Sequence, residues 1–132
     1  MSVPAHVHAI VVGGTTLAFM GFAYYLVPLL VRRELWSRRL ATIQAYGYGI
    51  GLTVLVAGQS WAGTLGVPRR TASIAYGGAA PHSWNLPMNI VGIGAGLAAT
   101  AGALFILNMV LTLLWGRRTD EPERLVPAAV KA

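Results

Sequence analysis

Two histidines stand one residue apart near the start of the chain, in Val3-Pro4-Ala5-His6-Val7-His8. Neutral imidazole is a common metal ligand, and burial in an apolar site keeps it neutral by disfavouring the imidazolium. Pro4 suits the first turn of a helix, where its missing N–H is no loss. With 3.6 residues per turn, positions two apart are separated by about 200° around a helix axis, so the two rings leave opposite sides of one rod. A single ion asks for ligands on one face, as at i and i+4; opposite faces suit two separate metal centres. Imidazole is an axial ligand of haem iron, and haem ligation is one reading of the pair. A solvated or locally hydrogen-bonded pair at a helix start is the other. A second candidate is Arg69-Arg70, which follows Pro68. The planar guanidinium matches carboxylates through two parallel donors, although an exposed loop pair would read the same way.

Other chemistries are excluded by composition. The chain has no cysteine, which removes disulfides, zinc–thiolate sites and thiol catalysis. Its long apolar runs contain no Asp, Glu or Lys, so they supply no carboxylate to an intramembrane proton relay. The formal net charge is +6, yet the basic residues come as short pairs between apolar runs. They form no basic helix face and no aromatic–basic interleaving, which argues against nucleic acid.

The elements that must position these residues follow from hydropathy. Of the 132 residues, 55% are hydrophobic and 11% charged, whereas soluble domains carry about 25% charged residues. So short a chain cannot hide that much apolar surface internally, so the surplus faces lipid. Three uncharged runs extend over about 5–31, 40–65 and 88–115. The first is roughly 40 Å long as a helix, enough to cross a hydrocarbon core of about 30 Å. Backbone groups in lipid must be satisfied within each segment. The predicted fold is therefore all-α and integral to the membrane: a single membrane domain over 1–132, with three transmembrane helices forming part of a larger helical bundle and a polar tail over 116–132. The N-terminus has no basic residue and the first run is too long for a signal-peptide core, so no cleavable leader is expected.

Eight of the ten Lys and Arg residues fall in the 32–39 connection and the tail. The positive-inside bias makes that side cytoplasmic and puts the N-terminus outside, in a cell (inner or plasma) membrane. Arg69 and Arg70 then lie outside against the bias and need another reason to be there. Small residues (Gly47, Gly49 and Gly51; Gly92, Gly94, Gly96 and Gly102) predict close helix packing. Gln44, Gln59 and Asn108 are candidates for interhelical hydrogen bonds. Tyr24, Tyr25, Trp36, Trp61 and Trp115 are expected at the membrane interfaces. A Gly/Pro-rich loop is expected over about 71–87, with His82 in it exposed to solvent.

The stretch His6-Val7-His8, then Gly21-Phe22-Ala23-Tyr24-Tyr25-Leu26-Val27-Pro28, then Trp61-Ala62-Gly63-Thr64-Leu65-Gly66-Val67-Pro68-Arg69-Arg70 resembles the end of subunit I of haem–copper terminal oxidases. Pro81-His82 and Pro87-Met88-Asn89 bring it nearest the B-type cytochrome c oxidases. The resemblance implies that His6 binds the high-spin haem iron where oxygen is reduced and His8 the low-spin haem iron that delivers electrons. It implies that Arg69 and Arg70 contact haem propionates, which would account for two external arginines. The implied function is the C-terminal haem-ligating part of subunit I, acting in reduction of O2 to water in aerobic respiration, with proton translocation by the assembled enzyme. Implied partners are the N-terminal part of subunit I, other oxidase subunits, membrane lipid, and cytochrome c or a similar electron donor.

There are departures from the family pattern. Many relatives carry an aromatic residue where Val7 stands. The second ligand of the low-spin haem, the copper-binding histidines and the cross-linked tyrosine come from earlier helices in the family and have no matching position here. Copper is thus expected on a complementing chain, and no oxidase activity is expected of this chain alone. Two alternatives stand beside this reading: a nitric oxide reductase relative, decided by the missing helices, and a non-catalytic small membrane protein or truncated remnant, decided by haem content.

Overall fold

The computed structural model describes residues 2–68 and 80–120. Arg69 and Arg70, most of the 71–87 loop and the tail beyond residue 120 lie outside the described residues. Three long helices make up the fold: α1 over Ser2–Val31, α2 over Arg38–Thr64 and α3 over Asn85–Trp115. A 3-10 turn, His82–Trp84, leads into α3. There is no strand among the described residues, only an isolated antiparallel bridge between Arg33 and Arg118. All three helices are long and apolar enough to cross a membrane.

The helices stop where the chemistry changes. Pro28 sits in the last turn of α1, and Arg32 closes the helix in the left-handed region at φ 50°, ψ 46°. That conformation reverses the chain and is unusual for a residue with a side chain. Helix α2 starts on Ser37, whose hydroxyl accepts from Leu40 N at 3.1 Å, an N-cap that satisfies one orphan donor. It ends at a turn in which Gly66 takes φ 75°. Pro87 lies in the first turn of α3 and is buried, so the connection ahead of α3 is shorter than its Gly/Pro content suggests.

Helices α2 and α3 pack antiparallel along a seam of small residues. A Cβ on Gly51 would meet Ala98 N at 2.6 Å, one on Gly58 would meet Val91 N at 2.9 Å, and one on Gly94 would collide with the Leu55 backbone. Close backbone approach of this kind replaces the hydrophobic drive that lipid cannot supply. Gly49, Gly92, Gly96 and Gly102 meet nothing within 4 Å, so only part of the expected glycine set is used for packing within the chain. Helix α1 lies against this pair: Val12, Leu17 and Met20 pack on a core of Tyr48, Leu52, Ala98 and Ala101.

The end of the bundle that carries the 32–37 connection is stitched to the end of α3. Glu34 N donates to Arg117 O at 2.9 Å and Thr119 N to Arg32 O at 3.1 Å. Trp36 N donates to Thr112 Oγ1 at 3.1 Å, and Asn108 Nδ2 to Ser37 O at 3.1 Å. Arg33 sends Nη1 to the Leu114 and Gly116 carbonyls at 3.0 and 3.3 Å, placing a cation at the negative end of the α3 dipole. The ion pair of Arg32 with Asp120, at 3.6 Å, is exposed on both sides and adds little.

Tyr24 departs from its expected place. Instead of lying at the interface, its ring is buried and meets Phe105 edge-on at 5.1 Å between ring centres, and its hydroxyl donates to Gln44 Oε1 at 3.2 Å. Trp36, Trp61 and Trp115 are exposed.

Candidate functional site

The opening turns of α1 bear both histidines. Ala5, 3% exposed, turns this segment's inner face toward α2, and the close approach of Ser2 to Gly63, where a Cβ would collide with the Ser2 hydroxyl, pins its tip. With Ala5 facing inward, His6 is exposed and His8 half-buried.

The winding changes at His8. Helix α1 is α-helical over Ser2–Val7, π-helical over His8–Thr15, and α-helical again over Thr16–Val31. Wider π winding turns less per residue than α winding, so the step from His6 to His8 spans somewhat less than the 200° of a uniform α-helix. The two rings still leave different sides. Such π segments are rare and occur often at functional sites.

The imidazole of His8 has one defined partner. Its Nδ1 lies 2.7 Å from Pro4 O. A carbonyl only accepts, so this bond puts a proton on Nδ1; in the neutral ring Nε2 then carries the lone pair that a metal would take. Orienting a ligand ring through its second nitrogen in this way is the usual support for a metal-binding histidine. Pro4 thereby gains a role beyond helix initiation that its position in the sequence did not disclose.

Beside the residues that follow His8, Gly13, Gly14 and Leu17 of α1 and Gly49, Leu52 and Val56 of α2 line an open, mostly apolar groove of about 480 Å³. His8 does not line this groove; a single imidazole with one nitrogen tied to the backbone is the donor set of an axial haem ligand, which takes one histidine nitrogen on a face. It does not suit a compact ion held by several side chains. Among the described residues no group of three or more His, Cys, Asp or Glu comes together. His82 is exposed in the 3-10 turn and is not gathered with the other two histidines. Gln59 is 7% exposed, with its Oε1 lacking a hydrogen-bond partner.

Comparison with known proteins bears on this site. Residues 1–98 match the family described as Cytochrome C and Quinol oxidase polypeptide I. The chain is similar to cytochrome c oxidase subunit 1 of Thermus thermophilus, with 34% identity over 122 residues, covering 90% of this chain and 21% of that protein. It is also similar to cytochrome c oxidase subunit 1 of a Bacillus species, with 30% identity over 117 residues, covering 88% of this chain and 18% of that protein. The chain thus spans about a fifth of the length of these curated relatives. No solved structure matches it.

Proposed function

From the premise that this chain belongs to the cytochrome c and quinol oxidase polypeptide I family, we propose that it is the C-terminal haem-ligating part of subunit I of a B-type-like cytochrome c oxidase. In this reading His6 binds the high-spin haem iron, His8 binds the low-spin haem iron, and Arg69 and Arg70 pair with haem propionates. The single observation that carries it is the His8 imidazole, tied by Nδ1 to Pro4 O so that Nε2 stays open, on a segment whose other histidine leaves a different side.

Haem held at these two positions supplies electron transfer and a place for O2 to bind. The chain's own contribution is narrower. His8 arrives with its tautomer set. His6, two residues earlier on the same rod, would hold the iron of the second haem, so that one helix segment would carry a ligand for each. Arginine neutralises propionate charge at the outer surface through charge-assisted hydrogen bonds. Copper, the remaining ligand of the low-spin haem and the groups that carry protons belong to complementing helices of the enzyme. The N-terminus and Arg69-Arg70 face outside and the seam at Arg33 and Arg118 faces the cytoplasm, as the distribution of basic residues indicates.

The test is spectroscopic. The chain is produced together with the complementing subunit I helices and the membrane complex is purified. His8→Ala is expected to remove the low-spin haem signal, and His6→Ala to abolish carbon monoxide binding at the high-spin haem. Unchanged spectra in both variants would overturn the assignment.

A further inference from the structure

Three successive carbonyls of the π segment each accept a side-chain hydroxyl. Thr15 Oγ1 reaches Ile10 O at 3.4 Å and Thr16 Oγ1 reaches Val11 O at 3.4 Å. The third bond comes from another helix: the Tyr48 hydroxyl of α2 donates to Val12 O at 3.0 Å. It is the shortest of the three, and its donor is the most enclosed, with Tyr48 only 6% exposed. In π winding the backbone bond moves from the fourth to the fifth residue, and no water is present in the membrane core to satisfy a carbonyl left poorly paired. A hydroxyl brought in from α2 is therefore a specific support for this winding.

What the winding controls is direction. Each residue taken up by a π turn displaces everything on its N-terminal side by one α-helical step, about 100° of rotation and 1.5 Å of rise. His6 lies on that side and His8 opens the π segment itself, so the azimuth of both relative to Thr16–Val31 depends on whether the π winding persists. Resting on the reading that His8 ligates haem, we propose that Tyr48 is a positioning residue, whose hydroxyl holds the π segment and so sets the angle at which His8 presents Nε2 to the iron. Thr15 and Thr16 act in the same sense with longer bonds.

The experiment uses the assembled, haem-loaded membrane complex containing this chain. Tyr48→Phe keeps the ring in the core and removes only the hydroxyl. Haem content is expected to stay at the parent level, while the electron paramagnetic resonance signal of the low-spin haem, which reports the orientation of the axial imidazole, and its visible α band both shift. A complex with parent haem content and unshifted signals overturns the proposal. Should Tyr48→Phe fail to assemble, the double variant Thr15→Val, Thr16→Val decides the matter: a smaller displacement of the same signals supports the lock, and none overturns it. His8→Ala, measured in parallel, separates the two levels. If it retains the low-spin signal, the haem assignment fails; if it loses that signal while Tyr48→Phe leaves it unshifted, only the positioning role fails.

Discussion

At the scale of single residues, position along a span is a weaker guide than what the facing helix offers. Tyr24 is two turns from the end of its helix at Val31, where an interfacial ring is the natural expectation. Gln44 on α2 and Phe105 on α3 draw it inward instead. Neither partner is near it in sequence, so the burial was not legible before the helices were docked. Tyr24→Phe would keep the edge-on ring contact and leave Gln44 Oε1 without this donor. The expected cost is about 1 kcal/mol, the scale of interhelical hydrogen bonds in membranes, read as a lowered unfolding temperature of the purified complex with its haem spectrum unchanged. The histidine pair was visible as residue types, and its spacing implies divergent rings. The Pro4 carbonyl that orients His8 was not, because nothing in the residue types indicates a backbone acceptor.

At the scale of elements, hydropathy and the arginine clusters marked three helices, yet the winding inside α1 carried no such mark. Gly13-Gly14-Thr15 is an ordinary composition for a membrane helix, and the hydroxyl that meets Val12 O in this segment comes from Tyr48 on another helix. The glycines illustrate the same point. Residues two apart on a helix lie on nearly opposite sides, so Gly47, Gly49 and Gly51, or Gly92, Gly94 and Gly96, cannot all face one neighbour. Only Gly51 and Gly94 in those runs, with Gly58, are pressed against a backbone or side chain closely enough to forbid a methyl group. Gly51→Ala and Gly94→Ala are each expected to destabilise the α2–α3 pair by about 1–3 kcal/mol, as overpacking does. Gly92→Ala and Gly96→Ala, at positions open within this chain, should leave that pair intact. Thermal unfolding of the four variants in detergent distinguishes the two groups, and equal losses across all four would contradict the packing described.

At the scale of the whole molecule, the helices have two unlike ends. Ser2 meets Gly63 at one, with the 3-10 turn before α3 linked to it through Trp84 Nε1 and Leu65 O at 3.2 Å. At the other, the Arg32–Ser37 connection is laced to α3. By the basic-residue bias the laced end is expected to face the cytoplasm. A chain without cysteine makes this simple to check. Ser83→Cys is expected to react with a membrane-impermeant maleimide in intact cells, and Asp120→Cys only after permeabilisation; the reverse pattern would invert the topology. Large exposed apolar side chains such as Phe19, Ile50, Ile93 and Ile106 leave broad faces for lipid or for further helices. Hydropathy made those faces legible, while which of the two covers each depends on neighbours outside this chain.

The lacing also orders biogenesis. The hydrogen bonds that fasten the 32–37 connection across the bundle reach for residues between Asn108 and Thr119, and translation delivers these after α1 and α2 have already entered the bilayer. During most of synthesis those groups of the first connection have only water to meet. A nascent chain arrested ahead of Asn108 is therefore expected to be inserted yet unfastened, with its histidine-bearing helix free to swivel and open to membrane proteases until the last turns of α3 emerge.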